Sequence, residues 1–101
     1  MWFFSRVPSV TWKEVDKTKD IIDVREDDEW KEGHVKGLIH IPLQNIGYYE
    51  PKDKEEPVYI VCRSGNRSSQ AARFLKSKGI NAINVKGGML EYKGELGKIV
   101  R

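Results

Sequence analysis

An α/β fold built around a mostly parallel sheet is predicted by three observations in this 101-residue sequence. Short apolar runs, "DIIDV", "PVYIVC" and "NAINV", recur along the chain and are separated by segments of helical character. The strongest run, Val58–Cys62, opens directly after Pro57 and is rich in β-branched residues. A glycine-bearing loop and an amphipathic segment follow it, the strand–loop–helix order of parallel sheets.

Taken in order, Thr11 with Glu14 three residues on has the capping-box spacing of a helix start. "DIIDVR" is a short apolar run between charges and reads as a buried strand. "EDDEWKEGH" is acidic at its front and basic later, the polarity of a short helix that stops at Gly33. "GLIHIPL" alternates and meets Pro42, so it reads as a short extended segment. "YYEPKDKEEP", Tyr48 to Pro57, carries two prolines and six charged residues, and is expected to be a surface loop. "SSQAARFLKSKG" predicts a helix over 68–78 with Ala71, Phe74 and Leu75 on one face and Gly79 at its stop. "NAINVKGG" reads as a further strand ending in Gly87 and Gly88, and "MLEYKGEL" as a last short helix.

One domain over 1–101 is expected at this length, large enough to bury a core without staples. The single cysteine excludes an intramolecular disulfide framework and a multi-cysteine zinc site. Eighteen Lys plus Arg against fifteen Asp plus Glu give a formal charge of +3, with both signs mixed along the chain. No basic stripe with interleaved aromatics points to nucleic acid. No apolar run approaches the roughly 18 residues of a membrane span, and "MWFF" lacks the flanks of a signal peptide. A cytoplasmic location is the expectation.

Chemistry concentrates in "VYIVCRSGNRSSQ", Val58 to Gln70. Ligands of open α/β sheets bind at the carboxyl ends of strands, where Cys62 stands. The N–H groups opening the next helix, and the charges of Arg63 and Arg67, favour thiolate over thiol. Gly65 permits a tight turn in which successive N–H groups form an anion nest. A cysteine that served only as a small buried hydrophobe would gain nothing from these neighbours. Such a cradle suits phosphate-ester cleavage or sulfur transfer. Four residues separate Cys62 from Arg67. Cysteine phosphatases resemble this loop but have one residue more, about 3.8 Å of extra contour. The shorter loop favours a single sulfur atom over a tetrahedral phosphate.

Three segments in order carry a more specific signal. "IIDVREDDEWKEGHVKGLIHIPL", "CRSGNRS" and "VKGGMLEY" resemble the signatures of rhodanese-like domains, the thiosulfate sulfurtransferase family, with the likeness running from about Ser9 to Gly97. The resemblance implies a rhodanese-like three-layer fold, a mostly parallel central sheet flanked by helices. It implies that Cys62 attacks the outer sulfur of a small anionic donor such as thiosulfate, releases sulfite and holds a persulfide. A thiol, a protein sulfur acceptor or cyanide then takes that sulfur. Backbone N–H groups across Arg63, Ser64, Gly65, Asn66, Arg67 and Ser68 would hold the charge, and Arg63 and Arg67 would attract the donor. No metal or organic cofactor is required.

By the same resemblance Asp23 and Arg25 shape the pocket edge, with Arg25 paired to a carboxylate such as Glu29. His34 is architectural, and His40 stands where asparagine is more frequent. Trp2, Trp12 and Trp30 are packing residues, and Gly87 and Gly88 let a turn pass near the loop. Leu38 replaces a usual alanine and Tyr92 a frequent tryptophan, which bear on substrate preference. Two other readings stay open: a small cysteine phosphatase or arsenate reductase of related fold, and a binding module whose cysteine carries sulfur or senses oxidants without turnover.

Overall fold

The computed structural model describes residues 7–101; Trp2 and the rest of "MWFF" lie outside them. Five strands form one parallel sheet in the order β1 (Ser9–Val10), β6 (Ala82–Val85), β5 (Val58–Val61), β2 (Asp20–Asp23), β4 (Ile39–His40). A separate antiparallel pair joins β3 (His34–Val35) to β7 (Ile99–Val100). Two α-helices complete the fold: α1 (Asp27–Glu32) after β2, and α2 (Asn66–Ser77) after β5. The mostly parallel α/β architecture expected from the alternation is the observed one.

The two-residue period of strands divides the core between the two sheet faces. Val58, Ile60 and Cys62 turn towards α2, where Ile22, Val24, Ala71, Ala72 and Leu75 join them. Tyr59 and Val61 turn the other way, to Trp12, Ile21, Val35 and Val85. Burying both faces is why β5 reads as an unbroken apolar run. Each fully buried Ile or Leu in these layers contributes about 1.5–3 kcal/mol relative to an exposed one. The parity of β5 therefore assigns Cys62 to the α2 side.

Several expectations change in detail. The helix expected at Thr11 is a single 3-10 turn, Trp12–Glu14, although Glu14 does accept from the Thr11 N–H at 2.8 Å. The last segment is likewise one 3-10 turn, Gly88–Glu91. Helix α2 begins at Asn66, not Ser68, so Arg67 lies in its first turn. Its buried stripe is Ser68, Ala71, Ala72 and Leu75, while Phe74 is 44% exposed, with the Lys78 ammonium 5.4 Å above its ring. Tyr48 closes a 3-10 helix, Leu43–Tyr48; the rest of the expected loop, 49–57, is irregular, but Tyr49 packs on the core and donates to Asp20 at 2.7 Å. Among the described residues no helix is long and apolar enough to cross a membrane.

Candidate active site

The cradle is assembled where β5 ends. Gly65 caps α2 with φ +110°, a left-handed conformation that glycine adopts without strain. That turn aims its N–H at Cys62 Sγ, 2.9 Å away. The buried Ser68 hydroxyl lies 3.3 Å from the same sulfur and 2.6 Å from Asn84 Oδ1. Cys62 itself is 1% exposed. Burial pushes its thiol up, but hydrogen bonds from the Ser68 hydroxyl and from the N–H groups of Ser68, Gly65 and Ser64 outweigh it and hold the thiol below the ordinary cysteine range. The lowering thus comes from hydrogen bonds rather than from the guanidiniums expected from sequence. Asn66 is exposed at the first turn of α2.

The double glycine closes the loop from behind. Met89 N–H donates to the Cys62 carbonyl at 2.9 Å and Leu90 N–H to that of Arg63 at 3.0 Å. A Cβ on Gly88 would lie 2.3 Å from the Cys62 carbonyl oxygen and 2.7 Å from that of Arg63, at φ +53°. Trp12 fixes the same turn by donating its indole N–H to the Gly88 carbonyl at 2.8 Å, and Tyr92 meets the Trp12 ring edge-on at 4.7 Å. Gly88→Ala should cost about 2–4 kcal/mol, from overpacking and a left-handed non-glycine residue together. It should also slow alkylation of Cys62; thermal melts and iodoacetamide kinetics read the two effects, and a variant melting with wild type would refute the close approach.

The arginines divide differently from expectation. Arg25 pairs with the fully buried Asp23 at 2.9 Å and donates to the Gly33 carbonyl at 2.7 Å. Glu29 belongs instead to Arg67, which grips it through both terminal nitrogens at 2.6 and 2.9 Å. The physical reason is position: Arg25 precedes α1 and turns back over its own strand, whereas Arg67 opens α2 and reaches across to α1. Arg63 is exposed. His34 donates from Nδ1 to the Trp30 carbonyl, and His40 from Nε2 to the Arg25 carbonyl, both at 2.8 Å. Both rings stack on Trp30, nearly parallel to the indole, with centroids 3.6 and 4.6 Å away. Leu38 packs under the face opposite α2.

Arg67 holds the Glu29 carboxyl down, from an ordinary 4.5 to about 2. An unfolded chain would bind the extra proton between those values, so this stabilisation is complete above about pH 4.5 and fades as pH falls towards 2. The side chains keep 30% and 25% of their exposure, so solvent screening leaves it at about 1 kcal/mol. Urea titrations of Glu29→Gln against wild type should show that gap at pH 7 and its closure near pH 2. A gap that widens in acid would contradict the pairing.

Asn84, 6% exposed on β6, is the site residue that sequence reasoning missed. A lone amide inside the apolar run "AINV" was the available signal, since a buried polar group needs a partner. Among the described residues no cluster of His, Cys, Asp or Glu is placed to hold a metal ion.

A thiol held at the carboxyl end of a parallel strand, inside a ring of loop donors, is the arrangement of α/β proteins with a cysteine in an anion cradle. Residues 8–95 match the Rhodanese-like domain family, and the chain belongs to it. "Putative sulfurtransferase YtwF" of Bacillus subtilis is 39% identical over 83 residues, covering 81% of each chain. "Putative sulfur carrier protein YrkF" of the same organism is 40% identical over 82 residues, covering 79% of this chain but 44% of that longer protein. In structure, a rhodanese-like domain protein from Staphylococcus aureus superposes with TM-score 0.78 at 34% identity, over 86% of this chain and 92% of the other.

Proposed function

We propose that the protein is a sulfurtransferase that works through a persulfide on Cys62. The observation that supports it is the depressed thiol of Cys62, buried yet hydrogen-bonded by Gly65 and Ser68 inside a six-residue loop. The thiolate attacks the outer sulfur of thiosulfate or another sulfane donor. The donor's S–S bond breaks, its electron pair leaves with sulfite, and the transferred sulfur stays on Cys62. Donors turned inward from Gly65 and Ser68, with the other N–H groups of the 63–68 loop, hold the negative charge there. Arg63 draws in the anionic donor, and Asp23 with Arg25 braces the strand end beside the loop. A thiol, a protein acceptor or cyanide then removes the sulfur.

The test is intact mass after incubation with thiosulfate, followed by addition of cyanide. One added sulfur that reductant removes, and that cyanide converts to thiocyanate, is the expected result. No adduct together with hydrolysis of an aryl phosphate would turn the reading to a cysteine phosphatase. The likeness to a protein named as a sulfur carrier favours a second reading, in which the persulfide forms but is handed only to a protein partner. A persulfide that neither cyanide nor small thiols discharge would select it.

A further inference from the structure

Arg67 stands in the first turn of α2 beside the Cys62 cradle, and the charge of the sulfur acts on it directly. Its guanidinium is nonetheless occupied. Both terminal nitrogens grip the Glu29 carboxylate, at 2.6 and 2.9 Å. The pair is partly buried, and Glu29 stays ionised down to about pH 2, so its charge cancels that of Arg67 throughout the neutral range. Glu26, exposed at the start of α1, adds a further negative charge within reach of Arg67. Arg25 is likewise cancelled by the buried Asp23. Among the described residues of the loop, Arg63 alone carries a cation with no ion pair.

An electrostatic potential acts on a donor in proportion to its charge, so a dianion feels a nearby cation twice as strongly as a monoanion. A bare guanidinium beside the cradle would therefore favour thiosulfate. A cancelled one withdraws that preference. We propose that Glu29 determines donor specificity: by neutralising Arg67 beside the cradle, it selects sulfane donors with one negative charge over dianions such as thiosulfate. This rests on the sulfur-transfer reading above and names the donor class within it. Glu29 touches no reacting atom and acts only through Arg67. The step itself is the same for either kind of donor. The Cys62 thiolate attacks the outer sulfur and the donor's S–S bond breaks. Its electron pair leaves with sulfite from thiosulfate, or with sulfinate from a thiosulfonate. One negative charge stays on the persulfide in both cases, so no oxidant or reductant enters.

The experiment follows sulfur loading of the full chain by intact mass, from thiosulfate and from methanethiosulfonate, which presents the same outer sulfur with one charge fewer. Glu29→Gln keeps a hydrogen-bonding oxygen for Arg67 and removes the charge. It should raise the thiosulfate-to-methanethiosulfonate rate ratio about threefold at low salt, the effect of one unit charge at a solvated site. Salt at about 1 M, with a Debye length of about 3 Å, should erase most of that rise. Arg67→Gln uncovers Glu29 and should lower the ratio by about as much. The double variant should return to the wild-type ratio, because one neutral pair has replaced another. Arg67→Lys, which keeps the charge without the two-pronged grip, should also keep the ratio. A double variant that stays at the Arg67→Gln ratio overturns the proposal, since Arg67 would then bind the donor itself. An unchanged ratio in Glu29→Gln overturns it too. Iodoacetate and iodoacetamide, which differ by one charge, read the same field at Cys62 without sulfur transfer, and their rate ratio should follow the same order. Wild type that loads from neither donor overturns the sulfur-transfer reading and the donor class with it. Loading with flat ratios overturns the donor class alone. Each ratio is taken within one variant below its melting range, so differences in stability between variants cancel.

Discussion

Cys62→Ser should fold like wild type and take up no sulfur at all. Serine is close in volume, and the Gly65 N–H and the Ser68 hydroxyl that serve the sulfur can serve its hydroxyl instead. The stability change is therefore expected to stay within about 1 kcal/mol. Chemistry is another matter. The cradle that lowers a thiol below its ordinary range has no comparable hold on an alcohol, whose proton is far harder to remove, and oxygen makes no persulfide. Loss of turnover on the order of 10⁴-fold or more follows, as for other nucleophile deletions. The readout is unambiguous because Cys62 is the only cysteine in the chain. Retained sulfur in the variant would place the acceptor atom elsewhere and end the cradle reading.

The parts of this molecule that were legible in sequence are those whose signal is local. Pro57, the β-branched run and the loop glycine mark β5 and its turn without help from elsewhere, and the loop carries its chemistry with it. What stayed hidden depends on tertiary partners. Strands β1 and β7 are two residues each and exist only as pairings with β6 and β3. The Phe74 stripe was misplaced because a helix face is defined by what packs on it, and α2 starts two residues earlier than its serines suggest. Glu29 is four residues from Arg25, the spacing of a helical ion pair, yet Arg25 stands before α1 begins and that geometry never arises. The consequence reaches function: Arg67, expected to face the donor, spends both of its terminal nitrogens on Glu29.

Asp23→Ala should be the most destabilising single change, at about 3–5 kcal/mol, because it strands a buried guanidinium. Asp23 is fully buried at the end of β2, one strand from Cys62, and its two oxygens accept from the Arg25 N–H at 2.9 Å and from Nε at 3.1 and 3.0 Å. Arg25 is 7% exposed and would keep only the Gly33 carbonyl as a partner. For a chain of this size the loss corresponds to a fall in Tm of about 15–30 °C. Removing both charges is a different operation. Asp23→Leu with Arg25→Met takes away two desolvation costs along with the attraction, and should recover most of the deficit, to within about 2 kcal/mol of wild type. Melts of the single and double variants test this, and a double variant no more stable than Asp23→Ala would mean that the pair stabilises the fold outright. Persulfide loading of the double variant, below its melting range, then reports what the pair contributes beyond stability. Loading at the wild-type rate assigns Asp23 and Arg25 to holding the strand end in place, whereas slow loading in a well-folded double variant assigns them to shaping the cradle itself.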